Sequence, residues 1–445
     1  MSTTRRQIIK QGLSGLAGLS LLGLAGCDST ATNAMPLNVI AAQPTSGKLS
    51  MLFWGSPTRD KLTKTTFDLY HQRYPNFSIT SQYYGFNDYF VKLDDLIKND
   101  HAPDLIQMDM RYVAQYVRKR QLLDMTELIY NQTIDLSDYD PDLLTGSKVN
   151  NTVYGIPFGG NCQVSFYDAD QIKKAGIGDI PTNLTWTSYA TYTTELTKAL
   201  GGTVYGTTDL SADITTFELW MRQRGKDLYD RNGHVNFSQT DVGDWYNYWN
   251  MLLKAGGCLP LSIQKGLDVT GSPANASMIK GKTVFLTTYS NLFEAFQQAT
   301  THQLGLTLPP TGGNGASPGM YLKASQLLSI YASTKYPLTS ANYTNFILNN
   351  VDAIKALGIE RGIPGSAKAL AMLRPSLKPA SINIVDYMSL AQKSGNMRPK
   401  EVLDPPGAGQ IADLLRTVSY DISGGKLSVS DGAKSFYTQA KKIAG

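Results

Sequence analysis

The stretch KLSMLFWG, residues 48–55, decides the fold. Leu49, Met51 and Phe53 fall on one face while Leu52 and Trp54 fill the other, so the segment reads as a strand buried on both sides, as in a parallel sheet covered by helices. Its surroundings agree. Ser56-Pro57-Thr58 opens a helix with Leu62, Leu69, Tyr70 and Tyr74 on its apolar face, and Pro75 ends it. FSITSQYY (77–84) is a second strand, DYFVKLDDLIKN (88–99) a helix capped by Asn87 with Phe90, Leu93 and Ile97 on one side, and PDLIQMD (103–109) a third strand. This is a βαβαβ unit, and a parallel sheet of that kind offers ligand-binding loops at the carboxyl ends of its strands.

Further along, NNTVYGIPFGGNCQVSFYD (150–168) continues in strands with a glycine-rich turn in the middle, and LTWTSYATYTTELTKAL (184–200) is a helix starting behind Thr185 or Thr187. In KDLYDRNGHVNF (226–237) Asn232-Gly233 sits between short apolar runs, a hairpin signal. GKTVFLTTYSN (281–291) and LSIYAST (328–334) are strands, the latter after the loop PPTGGNGASPGMY, and from Ser340 the pattern is mostly helical.

The amino terminus is of another kind. Arg5 and Arg6 in TTRRQIIK precede an uncharged run of Leu, Gly and Ser (12–26), which is too short to span a bilayer and ends in Leu24-Ala25-Gly26-Cys27. Residues 1–26 are expected to be an export signal, either twin-arginine, with Ile8 where that motif usually has Phe, or general secretory. The LAGC ending resembles a bacterial lipobox, which implies a diacylated Cys27 followed by a flexible tether through residue 47.

A chain of 445 residues is too long for one core and calls for two lobes. The formal charge of +5 falls to +2 once Arg5, Arg6 and Lys10 leave with the signal, so nothing points to nucleic acid. Cys162 and Cys258 form a disulfide or are two buried thiols; His71, His101, His234 and His302 are scattered singly, so no metal or other cofactor is expected.

The order of FWG (53–55), YPNFSI (74–79), APDLIQMD (102–109), VYGIPFG (153–159), WTSYATYTTELT (186–197), FELWMRQRGKDLYDRNGHVNF (217–237), GKTVFLTTYSN and LGIERGIPGS (357–366) resembles extracellular solute-binding proteins of the carbohydrate ABC-importer class, the maltose-binding-protein-like family 1. The chain departs from that pattern at Gln223-Arg224-Gly225-Lys226, where members often carry a glycine pair. The resemblance implies an α/β, two-lobe periplasmic-binding-protein fold of type II (Venus-flytrap) with hinge strands and a helical C-terminal region. Lobe 1 would hold 48–156 plus 289–330 and lobe 2 157–288 plus 331–445, with crossings near Gly155 to Pro157, Phe285 to Thr288 and Ser329 to Ser333.

A sugar offers hydroxyls round its edge and apolar faces, so its site needs aromatic rings and Asp, Asn or Arg together. The loops after the first three strands supply Trp54, Ser56, Asn87, Asp109 and Arg111; the structural alternative is core for Trp54, a cap for Asn87 and Asp109, and solvent or an ion pair for Arg111. The resemblance adds Asn161, Trp220, Tyr289, Asn291, Tyr321 and Arg361 as ligand contacts; Trp245 and Trp249, four apart beside Leu252 and Leu253, are assigned to core. Arg222, Arg224, Lys226 and Arg361 near the implied cleft suggest an acidic saccharide. The expected function is a monomeric, lipid-anchored sugar or oligosaccharide receptor facing the periplasm or cell exterior and serving an ABC permease. The alternatives are a sensory receptor for a chemoreceptor or kinase, or a carbohydrate-active enzyme. For the last, Asp104 and Asp109 are the nearest carboxylate pair but open and close one strand, and no nucleophile elbow, zinc motif or phosphate loop is present, so no catalytic residue is assigned.

Overall fold

The computed structural model describes residues 46–265, 267 and 273–445. Arg5, Arg6 and Cys27 lie outside them, as does the tether up to residue 45.

Two five-stranded sheets organise the chain. The first runs in the order Phe77–Tyr84, Gly47–Trp54, Leu105–Met108, Lys323–Ile330, Ile156–Asn161; its first three strands are parallel, and Lys323–Ile330 is antiparallel to both neighbours. Residues 51–54 are buried on both faces because the strand has a neighbour on each side and helices above and below. Helix Pro57–Arg73 starts as expected, with Ser56 accepting the Arg59 amide at 3.3 Å and Pro57 in its first turn. Helix Phe86–Lys98 begins earlier than expected: Gly85 is its cap, which puts Asn87 in the first turn.

The second sheet runs Leu304–Thr307, Gln163–Asp168, Thr283–Tyr289, Tyr205–Thr208, Cys258–Leu259. Its core holds the fully buried Trp245, ringed by Trp186, Trp220 and Trp249 at centroid distances of 6.2, 5.4 and 5.5 Å. Thr185 and Ser188 form a reciprocal capping box on helix Trp186–Ala199, which settles the start left open between Thr185 and Thr187.

The packing moves each expected crossing and lobe boundary. Strand Ile156–Asn161 belongs wholly to the first sheet and Gln163–Asp168 to the second, so the switch falls at Cys162 rather than at 155–157; its amide and carbonyl are both held by Ser290, at 3.2 and 2.9 Å. Thr283–Tyr289 is no crossing, since the chain continues through Leu304–Thr307 in the same sheet and passes to the first only in 308–322, ahead of Lys323–Ile330. Helices Pro337–Asn349 and Val351–Leu357 pack in the first lobe, where Tyr343 and Phe346 meet the Tyr70 ring edge-on at 5.3 Å each. Helices Pro379–Lys393, Ala408–Ser423 and Val429–Ala444 join the second-lobe core. Apolar runs on either side of a switch look alike in sequence; only the partner strand tells them apart.

The glycines of VYGIPFGG make no turn. A Cβ on Gly159 would come within 2.4 Å of the Ile363 carbonyl, and Gly160 exchanges backbone hydrogen bonds with Ile363 at 2.7 and 3.1 Å, so the strand is bare to admit another backbone. Cys162 and Cys258 are both free and buried, which removes the disulfide alternative, and burial pushes the Cys162 thiol up to about 12.

Candidate functional site

Residues of both lobes converge round the amino-terminal end of Lys323–Ile330. From the first lobe come the carboxyl ends of its parallel strands. Asp109 caps helix Met110–Arg118, and Arg111 clasps its carboxylate through Nε and Nη2 at 2.8 and 3.0 Å. Burial alone would raise the Asp109 carboxyl, but Arg111 and the more distant Lys323 hold it below the usual range. The Arg111 guanidinium lies 5.2 Å from the Phe86 ring, and Phe90 stacks on Tyr112 at 3.7 Å. Trp54 is beneath this layer, 9% exposed, with Phe86, Tyr89 and Phe90 around it. The half-buried rings are therefore Phe86, Phe90 and Tyr112, and Trp54 supports them.

From the second lobe comes a chain of polar groups. Tyr321 Oη donates to Glu218 Oε2 at 3.0 Å, and the Lys400 ammonium bridges Glu218 and Asp404 at 2.7 Å each. Burial opposes the charge on Lys400, yet Asp404 and Glu218 hold its pKa above the ordinary lysine value. Because the Tyr321 proton is committed to Glu218, the 3.1 Å contact between the two phenols runs from Tyr289 Oη to Tyr321, leaving the Tyr289 oxygen free to accept. The Lys323 ammonium sits 4.3 Å from the Tyr289 ring centre. Asn161 is its partner across the strand ladder, so the two side chains leave the same face. Asn291 is exposed in the turn after Tyr289.

Asp109, Arg111, Asn161, Tyr289 and Tyr321 are thus brought together, while two expectations are corrected. Ser56 caps its helix by accepting the Arg59 amide and stays exposed, with its O–H still able to donate. Trp220 is 5% exposed, packed on Trp186, Trp245 and Tyr248, with the Arg224 guanidinium 3.5 Å from its ring centre, so it has no face left for a sugar. Arg361 is a first-lobe core residue: its guanidinium binds Gln107, Gln326 at 2.9 Å and Thr63 at 2.7 Å beside the Phe158 ring. Of Asn87 the backbone alone is described.

The other cations offered for an acidic ligand are also occupied. Arg222 is fully buried and binds Asp227 together with the carbonyls of Gly319, Arg398 and Pro399. Lys226 pairs with Asp241 at 2.7 Å.

Glu218, Lys323, Lys400 and Asp404 were missed from sequence. Glu218 and Arg222 carried one usable signal, an acid and a base four residues apart in the otherwise apolar run FELWMR (217–222), where charges set among apolar residues require partners.

Residues 65–378 match the family model described as bacterial extracellular solute-binding protein. The fold is similar to that of an extracellular solute-binding protein family 1 from Alicyclobacillus acidocaldarius, with a TM-score of 0.77 and 29% identity over 91% of this chain and 100% of that one. It is also similar to a periplasmic oligogalacturonide binding protein from Yersinia enterocolitica in complex with saturated digalacturonic acid, with a TM-score of 0.73 and 22% identity over 89% and 98% of the two chains. Among curated proteins the arabinooligosaccharide-binding protein of Bacillus subtilis is 23% identical over 224 residues, 49% of this chain, so the match spans about half (48%) of that relative. The matched residues 65–378 run through strands of both sheets and both strand crossings, and on that footing the chain belongs to the bacterial extracellular solute-binding protein family.

Proposed function

We propose that this protein is the substrate receptor of an ABC importer, capturing a sugar or oligosaccharide outside the cytoplasmic membrane and delivering it to the permease. The observation that carries the reading is the juxtaposition, between two lobes, of half-buried rings (Phe86, Phe90, Tyr112) with polar groups whose hydrogen-bonding capacity is unspent. Among the described residues the Asn161 carboxamide and the Lys323 ammonium have no hydrogen-bond partner, and the Tyr289 oxygen has a free acceptor site. Rings meet the C–H faces of a sugar, and these groups its edge. An arabinooligosaccharide-binding relative and a neighbour holding digalacturonic acid favour the same ligand class.

The mechanism is a population shift. A ligand that touches Asp109 and Arg111 on one lobe and Tyr289, which Tyr321 holds in place, on the other makes all its contacts only when the lobes are closed. A differential affinity of about 10⁴-fold is needed to carry such an equilibrium from 1:99 to 99:1. The permease then recognises the closed form. Cys27, acylated after export, would tether a monomer to the membrane through the residues ahead of strand Gly47–Trp54, keeping it near that partner.

Calorimetry of the mature protein against a panel of oligosaccharides, paired with small-angle scattering, tests the reading. Binding should come with a smaller radius of gyration. Unchanged scattering and no heat with every saccharide would eliminate it.

A further inference from the structure

The carboxylates of the inter-lobe site are all taken. Asp109 is clasped by Arg111, Glu218 and Asp404 share Lys400, and Asp227 serves Arg222 and Arg398. Lys323 is the exception among the cations there: no carboxylate of the described residues lies within ion-pairing distance of its ammonium, which rests against the Tyr289 ring. Burial disfavours its charge, Asp109 supports that charge from beyond ion-pairing distance and Arg111 opposes it, and the Arg111 Nη1 nitrogen has no acceptor among the described residues, since Asp109 uses only Nε and Nη2. The Asn161 carboxamide stands across the ladder from Lys323, also without a partner.

An unpaired ammonium lying over the Tyr289 ring, a free carboxamide and an unused Arg111 N–H form an incomplete cluster that a single anion would complete. A neutral hydroxyl would satisfy geometry but leave the Lys323 charge without a counter-ion. A carboxylate accepts from several donors at once and makes the stronger, charge-assisted bonds.

We infer that the saccharide this site takes carries a carboxylate, as a uronate unit does, and that the carboxylate seats on Lys323 with Asn161 and Arg111 as further donors. The inference rests on the saccharide-receptor reading above and narrows it to acidic sugars. It places the selectivity on the crossing strand, in residues other than Arg222, Lys226 and Arg361, which the protein has already engaged.

The test is calorimetry of the mature protein with trigalacturonate and with neutral maltotriose and arabinotriose, at low and high salt. Trigalacturonate should bind more tightly than either neutral sugar and weaken with salt. Lys323→Met should lose about 10- to 150-fold for trigalacturonate, the span expected of one charged hydrogen bond, while Lys323→Arg should retain part of it. Preference for a neutral trisaccharide, salt-insensitive binding of trigalacturonate, or an equal loss for acidic and neutral ligands in Lys323→Met would each overturn the inference and leave the receptor reading intact. Failure of all three to bind while a neutral saccharide of the wider panel does would overturn this inference alone; failure of the whole panel would remove the receptor reading and this inference with it. The salt arm uses wild-type protein, so its outcome does not depend on the variant folding.

Discussion

Lys400 offers the sharpest test of how this molecule is held together. Its side chain is 6% exposed and lies between Glu218, 7% exposed, and Asp404, 26% exposed, so solvent screening gives no reason to discount the interaction. Lys400→Met keeps most of the volume and removes the charge. Asp404 can turn to water, but Glu218 is left buried without its cation and keeps only the Tyr321 hydroxyl, and removing one member of a buried ion pair costs about 3–5 kcal/mol. The second-site change Glu218→Gln removes that stranded charge and still offers Tyr321 an acceptor. Lys400→Met/Glu218→Gln should therefore fall within about 2 kcal/mol of wild type, recovering at least about 1–3 kcal/mol of the loss in Lys400→Met. Urea unfolding followed by tryptophan fluorescence suits the question, because four of the five tryptophans, at 186, 220, 245 and 249, lie in the second lobe. Should Lys400→Met unfold at the wild-type urea concentration, or Glu218→Gln deepen the loss rather than relieve it, the buried triad does not stabilise this lobe as argued.

Three further expectations follow from particular contacts. Arg361→Ala should cost about 1–3 kcal/mol, measured by urea unfolding, because it strands the buried Gln107 and Thr63 in the first-lobe core; ligand affinity of the folded fraction should stay within about twofold, since the cost is one of stability and not of ligand contact. Asp168 raises the His302 pKa through a 2.7 Å hydrogen bond and its charge, so this pair stabilises the fold fully below the unfolded histidine value of about 6.5 and loses the contribution as pH rises through the folded value. The melting-temperature gap between wild type and His302→Gln should accordingly narrow with rising pH, and a gap that widens would contradict the pairing. Finally, Cys27→Ser should release the protein from the membrane fraction into the soluble one in a cell-fractionation experiment; continued membrane association would exclude the proposed acyl anchor.

Much of the first lobe is legible in sequence because its signals are local. A doubly buried strand at 48–55, a helix opening at Ser56-Pro57-Thr58 and the strand at 103–109 need only neighbouring residues to be recognised, and each is found where it was expected. Asp109 and Arg111 are legible for the same reason, as the residues next to a parallel strand's carboxyl end. Trp220 and Arg361 were misjudged because residue type says nothing of direction: Glu218 and Trp220 are two residues apart on one helix, and that offset sends one to the inter-lobe site and the other into the core. Trp54 occupies a middle case, close to the site yet screened from it by Phe86 and Phe90.

By itself, then, the amino-acid order determined the alternation of strands and helices, the number of lobes and the family, because periodicity, caps and motif order are properties of short segments. Tertiary structure alone decided where the chain changes sheets, at Cys162 and in 308–322, and which of its many charges are already spent. Lys400 meets Glu218 across 182 positions, and Lys323 meets Asn161 and Tyr289 across the ladder and the lobe boundary. Whether a charge is paired depends on atoms a few ångströms away in space, and sequence distance carries no information about them.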